Sequence, residues 1–214
     1  MVNQPLNISS IQSQLHALAQ REGVSKWDLG ASRSSSASVQ VDRGEAKQLK
    51  ASQRSSITVR VWNQRGLVGI TSTSDLSDSG LEKALMGAHQ ASAFGNPDDV
   101  PGFSPLATAP QPDLHRPLQD PQGIQTLLEQ LLDAERQLLA RHPAIGTLPY
   151  NALNEGSSER VYLNSEGALR QAQRTQASIF LMARAEESGR KPRSGGAVRV
   201  ALGSRDLDLT GCIE

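Results

Sequence analysis

The chain has 214 residues, of which 37% are apolar, 21% charged and only 3% aromatic, and its 22 basic residues balance 22 acidic ones. That length supports one sizeable core or two small ones, built from Leu, Val, Ile and Ala rather than from rings. Charge neutrality gives no electrostatic footprint for duplex nucleic acid, the scarcity of rings leaves no base-stacking platform, and no apolar run reaches the roughly eighteen residues of a membrane span.

At the start of the chain, Met1 to Ser10 has no basic opening followed by an apolar stretch, so it does not read as a secretory leader. Ile11, Leu15 and Leu18 then recur at helical spacing. The pattern predicts an amphipathic helix over residues 10–22, capped by Ser9 or Ser10 and closed by Gly23.

From Lys26 to Ser72 the period becomes two. Trp27, Leu29 and Ala31 alternate, as do Val39 and Val41. Asp42-Arg43-Gly44-Glu45 reads as a turn. Ile57, Val59 and Val61 share one face, with Thr58, Arg60 and Trp62 on the other. Asn63-Gln64-Arg65-Gly66 is a second turn, and Leu67 to Ile70 a returning strand. These signals predict an antiparallel meander of four or five strands. A helix follows, capped by Ser77 or Ser79, with Glu82 three residues after Ser79 as in a capping box. Leu81, Leu85, Ala88, Ala91 and Ala93 form its buried stripe, and it is expected to end near Phe94-Gly95.

Residues 96–121 hold seven of the eleven prolines and read as a connector without regular structure. Asp120-Pro121 is the expected start of the next helix, whose apolar face runs from Ile124 to Leu139 and which Pro143 stops. The last third is strand-like again. Arg160 to Leu163 leads into the turn Asn164-Ser165-Glu166-Gly167, Thr175 to Glu187 alternates, Ser188 to Gly196 reads as a loop, and Ala197 to Leu202 returns. The predicted class is α+β, with antiparallel β-meanders and packed helices, because short turns rather than crossover helices join neighbouring strands. The expected divisions are helix, sheet and helix over 1–95, a Pro-rich connector over 96–121, and a helix with antiparallel strands over 122–214.

Chemistry-bearing motifs are scarce. His16, His89, His115 and His142 stand far apart, no two at the spacing that sets paired imidazoles on one helix face. Cys212, the one cysteine, has no base near it in sequence; it excludes an internal disulfide and suits a cytoplasmic setting. Serines crowd Ser32 to Ser38, but no Gly-x-Ser-x-Gly elbow occurs, and Gly66 and Gly69 lack the Lys and helix start of a phosphate loop. No catalytic, cofactor-binding or metal-ligating residue is therefore assigned. Arg190 and Arg193, in a basic loop between Gly189 and Gly195, read first as a mobile, solvated hairpin tip, the usual character of such loops; the alternative is a contact for an acidic partner or a peptide carboxylate.

One ordered set of strings goes further. Val59-Arg60-Val61-Trp62, then Arg65-Gly66-Leu67-Val68-Gly69, then Ser72-Thr73-Ser74-Asp75-Leu76-Ser77 resembles the TldD/PmbA family, once called modulators of DNA gyrase, in its PmbA (TldE) form. Val41 to Glu45, Leu163-Asn164-Ser165-Glu166-Gly167 and Arg205 to Asp208 extend the resemblance along the chain. The family-motif positions are Arg60, Gly66, Gly69, Ser72, Thr73, Asp75, Ser77, Asn164, Ser165 and Gly167, all with structural roles.

The resemblance implies that residues 1–214 form one N-terminal domain of this type, that the C-terminal domain of relatives is absent here, and that the zinc-bearing His-Glu-x-x-x-His helix of TldD-type members lies outside this chain. It implies a cytoplasmic, non-catalytic PmbA/TldE-like subunit or fragment of a metalloprotease system acting on peptides or unfolded proteins. No cofactor is expected. The expected partners are a TldD-type subunit or a second copy, and a peptide substrate. A nucleic-acid or gyrase-linked binding module, or a truncated remnant without activity, are the alternatives.

Overall fold

The computed structural model describes residues 6–98, 100–110, 117–147 and 149–214. Its helices are α1 (Ile8–Arg21), α2 (Asp78–Ala91), α3 (Ile124–Ala140) and α4 (Leu209–Ile213). Its strands are β1 (Lys26–Asp42), β2 (Glu45–Trp62), β3 (Val68–Thr73), β4 (Ile145–Thr147), β5 (Asn151–Asn164), β6 (Leu169–Ala185) and β7 (Arg193–Ala201). The strands follow the order β3-β2-β1-β5-β6-β4, with β7 also paired to β6. The α+β class is thus observed, with β2–β3, β4–β6 and β6–β7 antiparallel.

The chain divides into two compact units, one of residues 1–34, 54–115 and 158–173, the other of residues 35–53, 116–157 and 174–214. In the first, alternation decides the layers. Trp27, Leu29 and Ala31 of β1, Ile57, Val59 and Val61 of β2, and Val161 and Leu163 of β5 bury one sheet face against Ile11, Leu15 and Ala19 of α1 and Leu81, Leu85 and Ala88 of α2. The opposite face carries Asp28, Thr58, Arg60 and Tyr162, as a period of two requires. In the second unit, Leu127, Leu131, Ala134 and Leu138 of α3 cover Val39, Val41, Leu153, Ala177, Ile179 and Leu181, with Cys212 and Ile213 of α4 joining them.

Several boundaries differ from the sequence expectation. Helix α1 begins at Ile8, because the Asn7 side chain, not Ser9 or Ser10, accepts from the backbone N–H of Ser10 at 3.1 Å. The serine-rich middle of β1 continues the strand without a break, its serines meeting other hydroxyls, Ser36 on Ser52 and Ser35 on Ser157, each at 2.9 Å. Helix α3 starts after Gly123 rather than at Asp120-Pro121. The preceding residues are drawn off by side chains, the Gln119 N–H donating to Thr175 Oγ1 and the Gln122 N–H to Glu155 Oε2.

Strand β5 starts at Asn151, well before Arg160, with Asn151, Leu153, Glu155, Glu159, Val161 and Leu163 all buried. Its inward polar groups are satisfied from afar. Glu155 takes the N–H and hydroxyl of Ser204, Glu159 takes the N–H of Leu6, and Asn151 donates to the buried Glu135 of α3, which also receives the N–H of Gly44. Within the expected connector, the described residues 100–110 and 117–121 form neither helix nor strand; residues 99 and 111–116, His115 among them, lie outside the described residues.

Candidate functional site

The polar sheet face of the first unit gathers the most chemistry. Asp28 is buried and held by both ends of Arg60: Nε donates to Oδ1 at 2.8 Å and Nη2 to Oδ2. The Tyr162 hydroxyl adds a third bond to Oδ2 at 3.2 Å. A carboxylate taken out of water needs such a set, because an unpaired one costs several kcal/mol, roughly 3 or more. Hydrogen bonding to Asp28 raises the Arg60 guanidinium above its ordinary range. Burial, and then the Asp28 charge, push the Tyr162 phenol up.

Arg60 also lies 5.4 Å from the centre of the Trp62 ring. Trp62 meets Phe103 edge-on at 5.0 Å, and the Lys26 ammonium sits 5.0 Å from one ring centre and 4.9 Å from the other. This is cation–π geometry, worth about 0.5–1 kcal/mol where water still reaches the ammonium.

Residues 101–109 cross this same face as a strap. The Trp62 indole N–H donates to the carbonyl of Pro101 at 2.9 Å, and Arg170 Nη2 donates to the carbonyls of Leu106, at 3.1 Å, and Ala109. A space of about 500 Å³ remains among Gly102, Ser104, Leu106, Arg60, Tyr162 and Arg170. A second concavity of about 420 Å³ is lined by Gly30, Ser32, Thr58, Arg160, Tyr162 and Arg170. Of this set, Arg60 is the one family-motif position, and alternation along β2 already places Thr58 and Trp62 on its face. Asp28 carried a signal, an acid between Trp27 and Leu29 in an alternating run, but its partners come from β2 and β5 and are not adjacent in sequence.

The remaining family-motif residues shape the neighbourhood. Gly66 stands at φ 79° in the turn where Asn63 Oδ1 accepts from the N–H groups of Arg65 and Leu67. Gly167 stands at φ 85° in a turn built alike, Asn164 Oδ1 accepting from Glu166 and Ala168. Ser165 ties its turn to Trp27 through hydrogen bonds in both directions. A Cβ on Gly69 would stand 2.0 Å from the carbonyl oxygen of Ala88, so β3 approaches α2 only because that position is glycine. Ser72 meets the Thr58 hydroxyl at 2.8 Å on the polar face. Thr73 accepts from the Asp75 N–H and Asp75 from that of Ser77, while Ser77 caps α2 by accepting from Gly80. Those bonds from the Ser77 side chain and backbone lower the Asp75 carboxyl below its ordinary range.

The other candidates stay apart. Among the described residues no three His, Cys, Asp or Glu side chains converge as a metal site would need. His16 packs edge-on against Trp27, and His142 accepts from the Ala144 N–H. Burial raises the Cys212 thiol, the opposite of activation. Arg190 and Arg193 belong to the second unit. Arg190 pairs with Glu187 at 2.9 Å in an exposed turn, and Arg193 opens β7 opposite Ala185. No helix among the described residues is long and apolar enough to cross a membrane.

Comparison with known proteins gives a consistent picture. A family model described as PmbA/TldA metallopeptidase domain 1 matches residues 27–91, and one described as the PmbA/TldA metallopeptidase central domain matches residues 118–213. No curated protein sequence matches the chain. Among solved structures, the fold is similar to that of a Thermotoga maritima protein named as a candidate modulator of a DNA gyrase, with 17% identity over 97% of this chain and 46% of that one and a TM-score of 0.75. It is similar to TldE from Thermococcus kodakarensis, with 15% identity over 94% of this chain and 45% of that one and a TM-score of 0.75. A Bacteroides thetaiotaomicron protein, also named as a candidate modulator of DNA gyrase, shows 15% identity over 100% of this chain and 48% of its own, with a TM-score of 0.76. At these identities the likeness is one of fold, and the chain spans about half the length of these solved relatives.

Proposed function

Since the chain belongs to the PmbA/TldD family of metallopeptidase-related proteins, we propose that it serves as a non-catalytic, PmbA/TldE-like subunit or fragment of a peptide-cleaving assembly. The observation that carries this reading is the succession of two family domains along the chain. The likeness to a solved TldE points the same way. Cleavage is then the work of a TldD-type subunit in the cytoplasm, and this chain helps to hold the peptide. Arg190 and Arg193, both exposed, are the proposed contacts for an acidic surface of that partner.

Co-expression with a TldD-type protein tests the proposal. The expected result is a complex that survives size-exclusion chromatography at micromolar concentration and loosens when both arginines are changed to Glu. Separate elution of the two proteins would remove the subunit role, and an undisturbed complex of the double variant would remove the arginine contact. A nucleic-acid or gyrase-linked role is favoured by the names of two structural neighbours, but equal numbers of basic and acidic residues oppose it.

A further inference from the structure

We infer that the polar sheet face of the first unit is a binding site for proline-containing peptide chains, and that residues 101–109 occupy it in cis. The inference rests on the peptide-holding role proposed above for its biological sense, while its chemistry can be tested in this chain alone.

What the face recognises is main chain. Three hydrogen bonds reach the strap, one from the Trp62 indole N–H and two from Arg170 Nη2, and all three end on backbone carbonyls, those of Pro101, Leu106 and Ala109. Donors that select carbonyls accept a peptide by its backbone, and a proline supplies a carbonyl acceptor while removing a competing N–H. The one side chain of the strap in specific ring contact is Phe103, set edge-on to Trp62 beside Lys26. The recognised pattern is therefore a carbonyl at Trp62, an aromatic ring two residues on, and further carbonyls at Arg170.

The cis occupant fills the site poorly. Leu106 is 69% exposed, so the largest aliphatic side chain of the strap gains little from burial. About 500 Å³ stays open among strap residues and the side chains of Arg60, Tyr162 and Arg170. The concavity of about 420 Å³ beyond them shares Tyr162 and Arg170 and is not lined by the strap. A peptide with the same carbonyl pattern and a longer apolar stretch can replace the strap's bonds one for one and gain the burial that the strap lacks. Displacement, not induced fit, is then the binding step. The apparent affinity is reduced by the fraction of molecules in which the strap is seated.

A fluorescein-labelled synthetic peptide reproducing residues 100–110 is the probe, with a scrambled peptide as control. Anisotropy titration of wild type and Phe103→Ala, both checked for native circular dichroism, is expected to show the variant binding about tenfold more tightly, because its own strap competes less. Adding Arg170→Gln to Phe103→Ala is expected to reverse that gain. Hydrogen exchange on unmodified protein gives a readout free of folding defects: saturating peptide should accelerate exchange of amides within residues 101–109. Equal affinity for the probe and the scrambled peptide, or exchange unchanged at saturation, overturns the site. A chain that fails here yet forms the TldD-type complex keeps the subunit role and loses only this site. A chain that binds the probe but no such subunit does the reverse.

Discussion

Arg60 is where a sequence motif and a physical need coincide. Its guanidinium is the main partner of a carboxylate that has left water, so its loss strands Asp28 in the sheet. Arg60→Met is expected to destabilise the chain by about 3 kcal/mol, while Arg60→Met combined with Asp28→Leu should regain most of that. Urea denaturation of the single and double variants measures the difference. Tyr162 gives the pH counterpart. Its phenol is raised in the folded state, so the unfolded chain loses its proton first as pH climbs. The contribution is intact below pH about 10 and disappears as pH passes through the raised folded value. Melting temperatures between pH 8 and 11 should fall more steeply for wild type than for Tyr162→Phe. With only two tyrosines in the chain, phenolate absorbance can assign the late titration to Tyr162.

At the scale of elements, local chemistry was readable and distant satisfaction was not. The turns at Gly66 and Gly167 and the cap at Ser77 follow from residues within five positions of one another, and the sequence announces them. Glu82, expected to complete a capping box with Ser79, instead reaches Arg21 of α1, a partner that only packing of the two helices supplies. The early part of β5 was missed for the same reason. Asn151 and Glu155 occupy inward positions that alternation reserves for apolar side chains, and their partners lie on α3 and in the segments around Gln122 and Ser204. The site was legible through Arg60 and Trp62, which share one face of β2. Asp28, Tyr162, Phe103 and Arg170 needed the sheet to bring them there. Gly69 sets the tolerance of the β3–α2 contact: Gly69→Ala places a methyl within 2.3 Å of the Ser92 nitrogen and closer still to the Ala88 oxygen. Backbone must shift to admit it, and a loss of about 2–3 kcal/mol in the same denaturation assay is expected.

For the molecule as a whole, composition excluded more than it identified. A chain with equal basic and acidic residues has no basic excess to release counterions from phosphate, so duplex DNA should show unaltered electrophoretic mobility with micromolar protein at about 50 mM salt, where counterion release is most favourable. A shift that fades with added salt would restore the nucleic-acid reading. The division into two cores was not visible in the linear order of elements, because β1, β2, β5 and β6 each place some residues in one unit and some in the other. Periodicity reads a strand as one object and has no means of dividing it. The placement of the two tryptophans has a practical corollary. Trp27 is enclosed beneath α1 against His16, whereas the Trp62 indole is closed off by Pro101 and Phe103. Lifting residues 101–109 would wet one indole and leave the other dry, so the unlabelled chain carries an intrinsic optical gauge whose emission should redden on release, with Trp27 as its built-in constant.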